Sequence, residues 1–237
     1  MSNISNKRKL KEGRGTGIGA KYKPWILARE FSSVGTESVF CDWKHGRPIQ
    51  CLSQGEQRAY TLLRWRDDVL DIREQYPLDL PLTLGIAQKL KIPHPHDTNT
   101  YMTTDFLVTY QMPNGSQMLK AYNVKPNEKS MTDYCLKNFI IEQTYWAIKG
   151  IHLEIIYSDL LNKILINNIR QCTKYFSPNS IQTKIDFVKH LIAHKVLLVD
   201  MKSTHLDFPA LAEQYLGSPE QVQKYLAIMQ QTYKKDK

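Results

Sequence analysis

Hydrophobic and polar positions change period repeatedly along this chain, which predicts a mixed α/β protein rather than a bundle or a sandwich. Residues 36–50 alternate weakly around His45-Gly46-Arg47-Pro48, the pattern of a short hairpin. A helix opens at Ser53: Ser53-Gln54-Gly55-Glu56 fits a capping box, and Ala59, Leu62, Leu63 and Arg66 follow at helical spacing. The pattern shortens from Val69 to Gln75, and Tyr76-Pro77-Leu78 begins an extended stretch. Residues 80–100 are interrupted by Pro and Gly and carry His94-Pro95-His96, so they read as loop. Asp105 to Tyr110 is a strand by β-branched and aromatic content, Pro113-Asn114-Gly115-Ser116 a turn, and Met118 to Lys125 a returning strand ended by Pro126. Leu136, Phe139, Ile140, Tyr145 and Ile148 lie on or near one face of a helix over about 132–149, which Gly150 stops. A further strand covers His152 to Tyr157, and Ser158 or Asp159 caps a helix to about Tyr175.

Ser177-Pro178-Asn179-Ser180 marks a boundary between two units. Beyond it the pattern predicts a helix over about 181–194, an apolar strand at Val196–Val199 and two shorter helices. The last helix opens at Ser218-Pro219-Glu220-Gln221, with a cap, Pro at the first helical position and Gln at the third. Mostly helix with one short strand suits a winged-helix-like domain. The expected division is therefore an arm at 1–30, an α/β domain at 31–176 and a small, mainly helical domain at 177–237. No apolar run exceeds five residues (Tyr225 to Met229), too short for a membrane span. The charged N-terminus lacks the apolar segment of a secretory signal, and four scattered cysteines suit a reducing compartment. The expected location is the cytoplasm.

Charge adds a second picture. The chain carries a net +9, and residues 1–30 supply +6 of it, whereas residues 31–176 hold 16 basic against 15 acidic side chains. Lys7, Arg8, Lys9, Lys11 and Arg14 are the expected contacts to a polyanion, because each cation at a phosphate releases condensed counterions. A solvated tail without a partner is the alternative. Gly13-Arg14-Gly15-Thr16-Gly17-Ile18-Gly19 follows, with glycine at every second position. It is not a dinucleotide fingerprint, but it lets a backbone lie close against a phosphate chain; a flexible linker is the competing reading. Tyr22, Pro24 and Trp25 suggest that the segment docks.

The chemistry sits in the second hairpin, which brings Asp105 at the head of one strand to Asn123-Val124-Lys125 at the foot of the other. A two-residue turn at Asn114-Gly115 pairs 105 with 124 and turns Lys125 to the opposite face. An odd loop, Asn114-Gly115-Ser116, pairs 105 with 125 and puts Asp105, Asn123 and Lys125 on one side. With a carboxylate from a nearby helix, that trio describes the metal-dependent nuclease site of the restriction-endonuclease-like fold. Asp and Glu are hard oxygen ligands for Mg²⁺, which lowers the pKa of an attacking water. A lysine beside that water stabilises charge developing on phosphate, and the Val124 carbonyl is a candidate extra ligand. Glu56 is the candidate helical carboxylate, although the capping box competes for the same side chain.

Lys11-Glu12-Gly13-Arg14-Gly15 through Gly19, with Tyr22, Pro24 and Trp25, resembles the opening of TnsA-type transposon endonucleases, members of the PD-(D/E)xK superfamily. Leu52-Ser53 with Glu56, then Val69-Leu70-Asp71-Ile72-Arg73-Glu74-Gln75-Tyr76-Pro77-Leu78, is similar to the family's next block. Thr104-Asp105-Phe106-Leu107-Val108 and Val124-Lys125-Pro126 complete a likeness over roughly residues 9–160. The resemblance implies a restriction-endonuclease-like mixed sheet flanked by helices. It implies a Mg²⁺-dependent endonuclease (Mn²⁺ substituting) that cuts the 5′, non-transferred strands at transposon ends. The implied partners are transposon-end DNA, a DDE transposase subunit (TnsB-like) and an AAA+ ATPase (TnsC-like), at the nucleoid when active. Glu56 and Asp105 are then metal ligands and Lys125 the catalytic lysine. Asn123 stands where the superfamily usually has Glu and the TnsA type often Gln; it is shorter and uncharged. That departure keeps two alternatives open: a non-catalytic module bridging transposase and ATPase, and a stand-alone restriction-like nuclease. His190 and His194, four apart on a helix, read as core or solvated residues, since no third metal ligand follows.

Overall fold

The computed structural model describes residues 5–30, 38–95 and 100–235. The chain divides into two compact units, one through Leu161 and one from Asn162.

The first unit is built on a four-stranded mixed sheet of β3 (Val69–Pro77), β4 (Thr103–Gln111), β5 (Gln117–Lys125) and β6 (His152–Tyr157), in that spatial order. β3, β4 and β5 run antiparallel, and β6 joins β5 in parallel. A parallel neighbour needs a crossover, supplied here by α4 (Asp133–Ile148). Helix α2 (Gln54–Trp65) packs Ala59, Tyr60 and Leu63 on one sheet face, against Ile72, Phe106, Val108 and Tyr122. α3 (Leu80–Leu90) and α4 cover the other, where Ile86, Ile141, Tyr145 and Trp146 meet Leu107, Ala121 and Leu153. Strand alternation thus sends Phe106, Val108 and Tyr110 of β4 to α2 and Leu107 to the opposite face. β1 (Ser38–Cys41) and β2 (Pro48–Cys51) form the expected first hairpin. A short helix, α1 (Asn6–Lys11), opens the described chain.

Several expectations change. Residues 80–90 are not loop but α3: Asp79 caps the first turn through Leu82 N–H, Pro81 falls where a helix tolerates it, and Ile86 and Ala87 are buried. α4 buries Ile141, Glu142, Tyr145 and Trp146, whereas Leu136 and Ile148 remain exposed. The β4–β5 hairpin runs in a third register: Phe106 pairs with Tyr122 and Gln111 with Gln117, which sets Asp105 opposite Asn123. The loop takes residues 112–116, closed by Met112 N–H on Ser116 C=O at 2.8 Å. Asp105, Asn123 and Lys125, beyond the last pair, all line one cavity. Across the β1–β2 hairpin Cys41 lies opposite Pro48 and Cys51 opposite Ser38. His96 lies outside the described residues; His94 Nε2 lies 3.1 Å from the Thr83 hydroxyl.

The glycine run packs the arm on the edge strand β3. Gly15 has φ +77°, and a Cβ there would lie 2.3 Å from Pro77 Cγ. Gly19 N–H donates to Asp71 Oδ1 at 3.1 Å, the Tyr22 hydroxyl to Glu74 C=O at 3.0 Å, and Trp25 N–H to Gln75 C=O at 3.2 Å. These contacts cover backbone that an edge strand would otherwise expose.

The second unit comprises α5 (Lys163–Thr173), α6 (Lys184–Ala193), α7 (Phe208–Leu216) and α8 (Pro219–Lys235). α5 is capped by Asn162 and belongs here rather than with the sheet: its Asn168 side chain donates to Met201 C=O and Thr204 C=O at 3.0 and 2.8 Å. Val196–Val199 forms no strand, so the unit lacks the strand expected of a winged helix. His190 is fully buried, with Nδ1 2.6 Å from Tyr175 C=O and Nε2 against the Tyr233 hydroxyl. Among the described residues, no helix is long and apolar enough to cross a membrane.

Candidate active site

A cavity of about 1230 Å³ opens where β3, β4 and β5 end beside the start of α2. Its walls include Glu56, Gln75, Asp105, Asn123, Val124, Lys125 and Glu142, with Lys9, Trp25 and Glu30 from the arm. Each arrives for a local reason. The β4–β5 register aligns Asp105 with Asn123, and the strand period brings Lys125 to the same face two residues on. Val124 N–H donates to Asp105 Oδ2 at 2.6 Å. Gly55 lets the first turn of α2 approach the end of β6, since a Cβ there would sit 2.9 Å from Ser158 Oγ. That approach delivers Glu56, the next residue.

Glu56 does satisfy a helix start, though with a shift from the usual box. Ser53 Oγ accepts from Glu56 N–H, while the Glu56 carboxylate accepts from Leu52 N–H and Ser53 Oγ, both at 2.9 Å, and from Gln75 Nε2 at 3.2 Å. A carboxylate offers about four lone-pair directions, so three donors leave room for one further ligand bond. Capping and ligation are compatible.

Two residues enter the site without a sequence signal. Gln75 is buried at the end of β3 with φ +48° and reaches Glu56. Glu142, on α4, accepts from Asn123 Nδ2 at 2.8 Å and from the Thr104 hydroxyl at 2.7 Å; Trp146 Nε1 donates to that same hydroxyl at 2.7 Å. Its spacing from Leu136 and Ile148 gave only a helix face, and an acid in an apolar face was the one available clue.

Burial dominates the electrostatics. It pushes the Glu142 carboxyl up to about 8, with the Asp105 charge adding to the rise. It also raises Glu56, helped by Asp105, and raises Asp105 against the attraction of Lys125. A cation between Glu56 and Asp105 reverses that penalty.

The donor set fits Mg²⁺. The two carboxylates are hard oxygen donors, and Mg²⁺ is commonly held by one or two carboxylates with water completing the shell. Asn123 Oδ1 is buried beside them with no hydrogen-bond partner, a lone pair suited to a cation or its water.

The expected DNA-contact residues separate into three groups. Lys7 and Lys11 are exposed on α1, and Arg8 is exposed but pairs with Glu12 at 3.0 Å. Lys9 lines the cavity, its ammonium 5.4 Å from the Trp25 ring. Arg14 is buried, bound through both terminal nitrogens to Glu30 at 2.7 Å and through Nε to Glu12 at 2.8 Å. Its guanidinium anchors the arm and is not available to phosphate. His190 and His194 lie in the second unit as aromatic core: the His194 ring stacks on Phe176 at 4.1 Å.

A mixed sheet flanked by helices, with acids and a lysine gathered at one strand end, is the arrangement of the restriction-endonuclease-like fold. Residues 66–158 match the family described as TnsA-like endonuclease N terminal. Asp105, Asn123 and Lys125 fall inside the matched segment and Glu56 precedes it. The chain is also 35% identical over 171 residues to the Transposon Tn7 transposition protein TnsA of Escherichia coli, covering 71% of this chain and 62% of that protein. It thus spans less than two thirds of that relative's length.

Proposed function

We propose that this protein is the Mg²⁺-dependent endonuclease subunit of a transposase, cutting the 5′, non-transferred strands at transposon ends. The observation that carries the reading is the convergence of Glu56, Asp105 and Lys125 on one cavity within a TnsA-like fold. Glu56 and Asp105 would hold Mg²⁺ (or Mn²⁺), with the Val124 carbonyl as a further ligand. When bound, the ion activates a water and neutralises charge on the scissile phosphate. Lys125 is the cation next to Asp105; its ammonium stabilises the charge that builds on the phosphate oxygens. Asn123 is fixed through Nδ2 by Glu142, leaving Oδ1 to orient toward water or ion. Lys9 and α1 form a cationic wall that guides the DNA backbone. The proposed partners are a DDE transposase subunit that cuts the 3′ ends and an AAA+ ATPase regulator, and the second unit is the proposed region for these contacts. Unregulated nicking is harmful, so the isolated chain is expected to be nearly inactive.

A nicking assay on a duplex carrying the transposon end tests this reading. With Mg²⁺ the chain alone leaves the duplex intact, and adding the transposase subunit produces 5′-strand nicks. Robust cutting of any duplex by the chain alone would support the stand-alone nuclease instead.

A further inference from the structure

Gln75 occupies a position that strand geometry alone would not give it. Its neighbours pair as Glu74 with Phe106 and Tyr76 with Thr104, which sets Gln75 opposite Asp105. Its φ of +48° lies in the left-handed region that residues other than Gly, Asn and Asp largely avoid. Such strain persists where the surroundings over-determine it, and it clusters at functional sites. Here the arm supplies the constraint: Trp25 N–H donates to Gln75 C=O and the Tyr22 hydroxyl to the neighbouring Glu74 C=O. The twisted backbone buries both Glu74 and Gln75, consecutive residues that a regular strand would send to opposite sides. Glu74 binds Arg47 through both carboxylate oxygens, at 2.7 and 2.6 Å, and Gln75 is left to face the cavity.

The side chain is fixed at its far end. Gln75 Oε1 accepts from the Thr103 hydroxyl at 3.2 Å, and the opposite amide atom, facing the Glu56 carboxylate, is assigned as the nitrogen. Nε2 donates to Glu56 Oε2 at 3.2 Å, and Asp105 lines the same cavity. One amide nitrogen carries two N–H donors, so with one on Glu56 a second remains to face the other carboxylate of the cavity.

We propose that Gln75 is a positioning residue, a neutral clamp that draws Glu56 and Asp105 together in ligand geometry before a cation arrives. This inference rests on the nuclease reading above. The residue type suits the task. A Glu at this place would add a third negative charge beside two acids, and a Lys would neutralise them and exclude the metal. An amide donates to a carboxyl group without adding charge of either sign. The clamp also gives the docked arm a role in the site. The arm holds Gln75 in the conformation from which it reaches Glu56.

Gln75→Asn in the full-length chain separates positioning from folding. Asn suits left-handed backbone better than Gln, so the melting temperature is expected to stay level or rise. The amide is one carbon shorter and is withdrawn from Glu56. Calorimetric titration with Mn²⁺ is expected to show affinity reduced about tenfold or more, the usual effect of losing a residue that orients ligands. The electron paramagnetic resonance spectrum of the bound Mn²⁺ should change with it. Should Gln75→Asn fail to fold, Gln75→Met, which keeps the length and lacks both donors, is expected to give the same loss. Affinity within about twofold of the parent chain and an unchanged spectrum would overturn the clamp while leaving the nuclease reading intact. A parent chain that binds no Mn²⁺ would overturn both.

Discussion

Gly15→Ala tests whether the arm is a built part of the catalytic unit. An added Cβ would meet Pro77 Cγ at 2.3 Å and Cδ at 2.8 Å, well inside contact distance, in a backbone at φ +77°. Left-handed geometry costs an alanine about 1 kcal/mol, and forcing extra carbon into a packed site costs about 1–3 kcal/mol. Together these give roughly 2–4 kcal/mol. Gly46→Ala is the control: φ is +68°, but nothing lies within 4 Å of a Cβ there, so only the backbone term of about 1 kcal/mol applies. All four tryptophans, at 25, 43, 65 and 146, lie in the first unit, so fluorescence-detected urea unfolding reports on it selectively. At about 2–4 °C per kcal/mol, the melting temperature should fall by about 5–15 °C for Gly15→Ala and by a few degrees for Gly46→Ala. If the arm instead lets go locally, the global loss shrinks and trypsin cleavage at Lys21 accelerates. Equal stability of the two variants together with unchanged proteolysis would refute the packing argument.

Deleting residues 1–12 removes Lys7, Arg8, Lys9 and Lys11, and the slope of log affinity against log salt for DNA should become shallower by about 0.9 for each cation that contacts phosphate. An unchanged slope would locate the phosphate contacts elsewhere. In the second unit, burial holds the His190 imidazole below its ordinary value, with His194 adding to the effect from 4.5 Å between rings. The unfolded chain therefore binds a proton more readily, so this contribution is present above about pH 6.5 and is lost as pH falls through the lower folded value. Amide exchange in α6 and α8, corrected for intrinsic rates, should accelerate from pH 7 to pH 5.5; flat protection would contradict it. Chelation should stop 5′-strand cleavage and added Mn²⁺ restore it, whereas activity surviving chelation would remove the metal from the account.

The parts of the fold set by local pattern were legible in the sequence. Ser53 caps α2 and Gly150 ends α4 by side-chain and backbone chemistry that needs no tertiary context. The β4–β5 hairpin was legible to its parity but not its register. Pro113-Asn114-Gly115 announces a turn, yet loop length depends on how Met112 and Ser116 close it, and an error of two residues leaves the faces unchanged. α3 was hidden because Pro81 and Gly85 look like breakers; Pro is harmless in a first turn, and Gly85 lies against open space. The glycine run showed its need for positive φ but not its partner, since Pro77 becomes a neighbour only after the sheet forms. Within the site, Asp105 and Lys125 stand out by residue type at strand ends. Gln75 and Glu142 do not, because their roles arise from contacts made across the sheet, to Glu56 and to Asn123. Arg14 shows the converse: it looked like a phosphate contact, and the fold uses its charge on Glu30.

The central claim is that this cavity cleaves the 5′ strand, and Lys125→Ala addresses it most directly. The assay is a reconstituted reaction with the transposase and ATPase subunits, Mg²⁺ and end-labelled transposon DNA, scored separately for each strand. Removing one charge that stabilises a transition state in such a site lowers the rate by about 10²–10³-fold. The expected result is 3′-end cleavage and joining at the parent rate, with 5′-strand cleavage reduced at least about a hundredfold. Parent-level 5′ cleavage by Lys125→Ala would contradict the account and leave this protein a bridge between its partners.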